Sequence, residues 1–87
     1  MWFVRLVKLR NPLTKERNEW MRKKRDEAEK WGVKWHMTLF TLGRYDVIAI
    51  FEAPDEKTAM KVSMAFAPEA AAETLAAVSR DEVVKWL

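Results

Sequence analysis

Five breaks divide this chain, and between them they hold both of its glycines and all three of its prolines: Asn11-Pro12, Gly32, Gly43-Arg44, Pro54-Asp55 and Pro68. So few turn-formers leave no material for long loops, and most of the 87 residues must lie in regular elements. Trp2 to Leu9 is rich in β-branched and large apolar residues and stops at Asn11-Pro12, which predicts a strand. Thr14 is placed to cap a helix from Lys15 to Trp31, where Trp20, Met21, Ala28 and Trp31 recur at helical spacing until Gly32 ends it. That makes an amphipathic helix of about four turns. Val33 to Leu42 and Tyr45 to Glu52 flank Gly43-Arg44 in the pattern of a tight hairpin with glycine first in the turn. Pro54 ends the second of these strands, and Asp55 caps a helix that carries Ala59, Met60, Val62, Met64 and Phe66 up to Pro68.

The tail admits two readings. Propensity makes Glu69 to Leu87 one helix; alternatively Glu73 to Val78 is a short strand, followed by a Ser79-x-x-Glu82 capping box and a last turn of helix. The preceding order of elements favours the strand, because a βαββαβ split unit needs a fourth strand beside the first to complete its sheet. The expected fold class is therefore α+β. Residues 1–87 form one domain, a ferredoxin-like βαββαβ sandwich with a four-stranded antiparallel sheet, two helices on one face and a short C-terminal helix. A chain this short buries only about 60–65% of the surface it exposes when unfolded, so a second core is excluded.

Composition mainly removes possibilities. With 49% apolar and 33% charged residues the chain is not disordered. Its longest apolar run, Val47 to Phe51, is far short of the roughly 18 residues of a membrane span, and Arg5 comes too early for a signal peptide. The expectation is a cytoplasmic protein with no membrane partner. No cysteine and one histidine exclude disulfides, cysteine zinc sites and thiol nucleophiles, and two glycines exclude a glycine-rich phosphate cradle. No cofactor and no metal are expected. Ser63 and Ser79 lie in or at the start of helical segments, without a nucleophile turn. The net charge of +3 is uneven: residues 1–44 carry 12 basic and 5 acidic side chains (+7), residues 45–87 carry 4 and 8 (−4). Such a split suits nucleic acid or self-association equally. Yet Lys15 to Lys30, around Arg22-Lys23-Lys24-Arg25, holds 7 basic and 5 acidic residues, which reads as a solvated helix face rather than a nucleic-acid site. The absence of glutamine beside abundant Lys, Arg and Glu hints at a thermophilic source, against which five methionines weigh.

Leu42-Gly43-Arg44-Tyr45-Asp46, followed by an apolar strand and Glu52-Ala53-Pro54-Asp55, resembles the GYD domain family, and Glu73-Thr74-Leu75 resembles that family's final strand. The resemblance covers nearly the whole chain. It implies a ferredoxin-like fold that pairs face to face as a dimeric α/β barrel, a homodimer or larger homo-oligomer, in a family whose biochemical role is largely undefined. Relatives in the wider barrel superfamily suggest, by analogy, a cofactor-independent enzyme of isomerase, cyclase or monooxygenase type as the alternative. The departures are Arg44 in the turn and a first helix bearing Arg22-Lys23-Lys24-Arg25 and two tryptophans.

Strand alternation sorts the side chains onto two faces. Val4, Leu6, Met37, Leu39, Ile48 and Ile50 form an aliphatic block suited to lie beneath Trp20, Met21, Val62 and Phe66. The other face carries Phe3, Arg5, Val7, Leu9, His36, Thr38, Phe40, Tyr45, Val47, Ala49 and Phe51, too apolar to be left in water, and so is expected to meet a second copy. Between the two sheets this lining, with Arg5, His36, Thr38 and Tyr45 as its polar groups, has the composition of a pocket for a small apolar or aromatic ligand. Arg5 is the most telling of the four, because a buried guanidinium needs an anionic or hydrogen-bonding partner, either Glu52, Glu73 or an acid on the partner subunit, or the ligand itself. Asp46, opposite Thr41 across the turn, is expected to bond the threonine hydroxyl or nearby backbone amides.

Overall fold

The computed structural model describes all of residues 1–87. In chain order the elements are β1 (Trp2–Leu9), α1 (Lys15–Glu29), β2 (Lys34–Phe40), β3 (Val47–Glu52), α2 (Glu56–Phe66), β4 (Ala70–Ala77) and α3 (Arg80–Val84). The strands pair in the order β2-β3-β1-β4, every pair antiparallel. This is the expected βαββαβ arrangement, with the last strand beside the first. No helix is long and apolar enough to cross a membrane.

The caps are those the sequence indicates. Thr14 accepts from the Arg17 amide, Asp55 from the Thr58 amide at 2.8 Å, and Ser79 from the Glu82 amide, so each helix has one of its unpaired first-turn donors satisfied. Gly32, at φ +92°, ends the turn after α1 in a conformation side chains rarely adopt, and a Cβ there would lie 2.9 Å from Pro54 Cγ. β4 starts earlier than expected: Ala70, Ala71 and Ala72 pair with Leu9, Lys8 and Val7, so sheet pairing overrides the helix propensity of the alanines.

The hairpin differs from its expectation. Pairing stops at Phe40–Val47, and six residues, Thr41 to Asp46, close the connection instead of two. The physical reason is that Asp46 is drawn to β1: its amide donates to Val7 O at 2.8 Å, and its carboxylate accepts from the Leu9 amide at 2.8 Å. Thr41 spans the turn, its amide bonding Asp46 O and its hydroxyl bonding Tyr45 O. Asp46 thus meets a backbone amide, as expected, and not the threonine hydroxyl. Gly43 sits at φ +97° with open space around it, so backbone conformation alone calls for glycine there.

The largest correction concerns the two faces of the sheet. Phe3, Val7, Val47, Ala49 and Phe51 lie beneath the helices with Ala28, Ala59, Val62 and Phe66, whereas Met37 and Leu39 are half exposed and Val4, Leu6, Ile48 and Ile50 face away from the helices. The expected assignment is inverted because the helices contribute rings. Trp20 and Trp35 meet Phe66 edge-on, Trp35 and Phe3 pack on Phe51, and a flat aromatic layer with alanine and valine between fits that surface better than branched aliphatics. Full burial of a side chain such as Phe51 or Val62 is worth about 1.5–3 kcal/mol.

Candidate functional site: a cationic cleft between α1 and the sheet

α1 does not cover the sheet evenly. Toward the outer end of β2 it leaves a cleft of about 260 Å³, lined by nine apolar residues and by Arg5, Asn18, Arg22, Arg25 and Thr38. Its floor is the helix-side face of the central strands, Val7, Val47 and Ala49; Phe66 closes one wall, and Met21 and Trp35 sit toward α1. The exposed outer residues Thr38 and Phe40 mark its opening at the sheet edge.

Arg5 stands in the middle of this floor. It pairs with Ala49 on one side and Thr74 on the other, is only 3% exposed, and carries its guanidinium 4.9 Å over the Phe66 ring. Its Nε and one terminal nitrogen are buried without a hydrogen-bond partner. Desolvation pushes the guanidinium well below its ordinary range, to about 10, which still leaves it charged at neutral pH. The acids expected to pair with it, Glu52 and Glu73, lie elsewhere: both are on the opposite face, Glu52 against His36 and Glu73 against Tyr45.

Arg25 approaches from α1. Its Nε is also buried and unpartnered, and its guanidinium lies 5.4 Å over Trp35. Trp35 in turn donates from Nε1 to the Arg25 carbonyl at 3.2 Å, locking the ring to the helix. Arg22, by contrast, is held by Glu19 and Asp26 on the outer surface of α1, and Lys24 pairs with Glu27. Two of the four basic side chains of the run are therefore paired within their own helix.

The four candidate ligand-binding residues separate into two pairs. Arg5 and Thr38 share the cleft; His36 and Tyr45 do not reach it. A β-bulge between Trp35 and Met37 turns His36 to the open face, where it stacks on Trp2 with centroids 4.4 Å apart and sits 3.0 Å from Glu52 Oε2. That hydrogen bond, aided by the charges of His36 and Lys34, holds the Glu52 carboxyl below the usual carboxylate range. Tyr45 donates to Glu73 Oε2 at 3.1 Å. The cleft that holds Arg5 and Thr38 lies within one chain, between sheet and helix. Arg25 was not among the residues that strand alternation could reach, because its part depends on how α1 crosses the sheet.

The open face has its own order. Leu39, Ile48 and Leu6 form one cross-strand row, Met37, Ile50, Val4 and Leu75 the next, and Lys34, Glu52, Lys8 and Glu73 lie around them. No group of three or more His, Asp or Glu side chains is arranged to hold a metal ion.

Two comparisons bear on this geometry. The sequence model of the GYD domain matches residues 9–87. Among curated proteins, no match is found.

Proposed function

The chain belongs to the GYD domain family, and from its cleft we propose that it works as a homodimeric binding module, each subunit holding one small molecule with an apolar body between α1 and the sheet. The observation that carries this reading is a cavity whose lining is mostly apolar and whose polar residues, Arg5, Asn18, Arg22, Arg25 and Thr38, include no carboxylate. Apolar walls with a few convergent donors are the ordinary make-up of a ligand site. The two side chains suited to moving a proton, His36 and Tyr45, stand on the far face against Glu52 and Glu73, which favours binding over acid–base catalysis in the cleft.

The dimer rests on the open face. Seven aliphatic side chains in two adjoining rows, rimmed by charges of both signs, have the anatomy of an interface with an apolar core and polar edge. Packing two such faces leaves the cleft free, since it lies between the sheet and α1 and opens at the β2 edge. Met60, Met64, Trp86 and Leu87 remain exposed outside that contact and supply apolar surface for a larger assembly.

Native mass spectrometry of the purified protein tests both parts. The expected result is a dimer or an even multiple, carrying up to one small molecule per subunit. A bare monomer at micromolar concentration, combined with no chemical-shift change at Val7, Val47 or Ala49 when benzamide or benzoate is added, would end the reading.

A further inference from the structure

We infer that the ligand of the cleft is a small organic monoacid, its carboxylate received by the guanidiniums of Arg5 and Arg25 and its ring or short apolar body lying on Val7, Val47 and Ala49. This rests on the cleft being a binding site and names the chemistry it selects. A buried guanidinium without a counter-ion is costly, and folded proteins normally pair it. Here the partner is missing on every side: the neighbouring strand residues are Ala49 and Thr74, the ring beneath is Phe66, and no acid lines the cavity. Two different arginines, on β1 and on α1, present buried unpartnered Nε atoms at the same cleft.

The shape narrows the class further. An apolar cavity of about 150 Å³ already admits benzene, so 260 Å³ accommodates a one-ring acid. Guanidinium forks match the two oxygens of a carboxylate. Inorganic phosphate would satisfy the charge but leave the apolar floor and walls uncovered, so a free inorganic anion is the poorer occupant. Arg25 sits partly exposed on α1 over Trp35 while Arg5 is the deeper group over Phe66, which places the acid head between the two.

The test uses the intact protein, benzoate as probe, and benzamide and inorganic phosphate as its uncharged and its purely ionic counterparts. Nitrogen-15 spectra of the arginine Nε–H groups report directly on Arg5 and Arg25. Benzoate is expected to shift both signals and to bind at least about tenfold more tightly than benzamide or phosphate, a factor equivalent to about 1.4 kcal/mol. Arg25→Met should lose most of that preference, and Arg5→Met all of it, while both variants still take up benzamide. If Arg5→Met fails to fold, the wild-type Nε–H shifts and Arg25→Met decide the matter alone. Equal binding of benzoate and benzamide, benzoate binding without movement of the Arg5 signal, or phosphate binding as tightly as benzoate would each overturn the inference while leaving the cleft a ligand site. If none of the three perturbs Val7, Val47 or Ala49, both the inference and the binding reading fall.

Discussion

The two faces of the sheet are almost equally apolar, yet only one is the core of the subunit. The helix side presents Phe3, Val7, Val47, Ala49 and Phe51 around a single charge, Arg5; the open side presents Val4, Leu6, Met37, Leu39, Ile48, Ile50 and Leu75, with Lys8, Lys34, Glu52 and Glu73 at its margins. Hydrophobicity therefore does not tell which face of the sheet the helices cover. The open face has rings of its own in Trp2, His36 and Tyr45, so the difference lies in which rings meet Trp20 and Phe66 of the helices and in where the charges fall. Four charges lie at the edge of one face, where solvent can reach them, and one lies within the other, over the Phe66 ring and without a counter-ion.

Neighbouring residues on β3 put the contrast to its strongest test. Phe51 is wholly buried between Phe3 and Trp35, so Phe51→Ala should cost about 3–5 kcal/mol in urea unfolding. Ile50, one residue earlier, points to the open face. Ile50→Glu should leave a folded subunit but weaken self-association by at least about a hundredfold, or about 2.7 kcal/mol, as read by sedimentation equilibrium. Should Ile50→Glu unfold the protein while Phe51→Ala leaves it stable, the two faces have been assigned the wrong way round. An unchanged association constant would remove the interface instead.

Arg5→Met sharpens the comparison from the core side. Folding removes a charged guanidinium from water without pairing it, and the lowering to about 10 expresses that cost. At pH 7 Arg5 is charged in both states, so its penalty is constant there; above about pH 10 the folded form sheds its proton first, and the penalty shrinks as pH rises. Methionine keeps the packing and has no charge to desolvate, so in the absence of ligand it should stabilise the protein by about 1–3 kcal/mol at pH 7. A loss of stability would mean that Arg5 has a structural partner and not a vacant receptor role.

Much of this was legible in the residues. Breaks at Gly32, Pro54 and Pro68, caps at Thr14, Asp55 and Ser79, and the need for a fourth strand fixed the order of elements. The orientation of the sheet was harder, because alternation separates two faces without saying which one the helices cover. A partial signal was present: Lys8 and Glu52 share the aliphatic parity of their strands and Arg5 lies with Phe3, whereas Lys34 alternates with His36 and Thr38 and reaches the open face only through the bulge. The bulge at His36 has no comparable mark; one extra residue moved that ring to the other face and dissolved the expected grouping of Arg5 with His36. Arg25 became part of the site through tertiary packing, and no local pattern in α1 distinguishes it from Lys23 or Arg22.

The smallest effect belongs to the rim of the open face. Glu52 is held below the ordinary carboxylate value of 4.5 by its hydrogen bond with His36 and by nearby positive charge, and Asp55 is held below 3.8 by the Thr58 amide and hydroxyl that it caps. For a carboxyl lowered on folding, the contribution to stability is complete above the unfolded value and disappears as pH falls through the folded one. Both groups should therefore make the urea midpoint decline between about pH 5 and pH 3. His36→Ala removes Glu52's principal partner and leaves Asp55 untouched, so the decline should become shallower but persist. Asp55→Asn should produce the complementary change, leaving the Glu52 part alone. Both carboxyls are solvated, which keeps each change small beside those at Phe51, Ile50 and Arg5. An acid profile of His36→Ala that superimposes on the wild type would show that the imidazole exerts no hold on Glu52, and that the open-face rim is set by Lys34 and solvent alone.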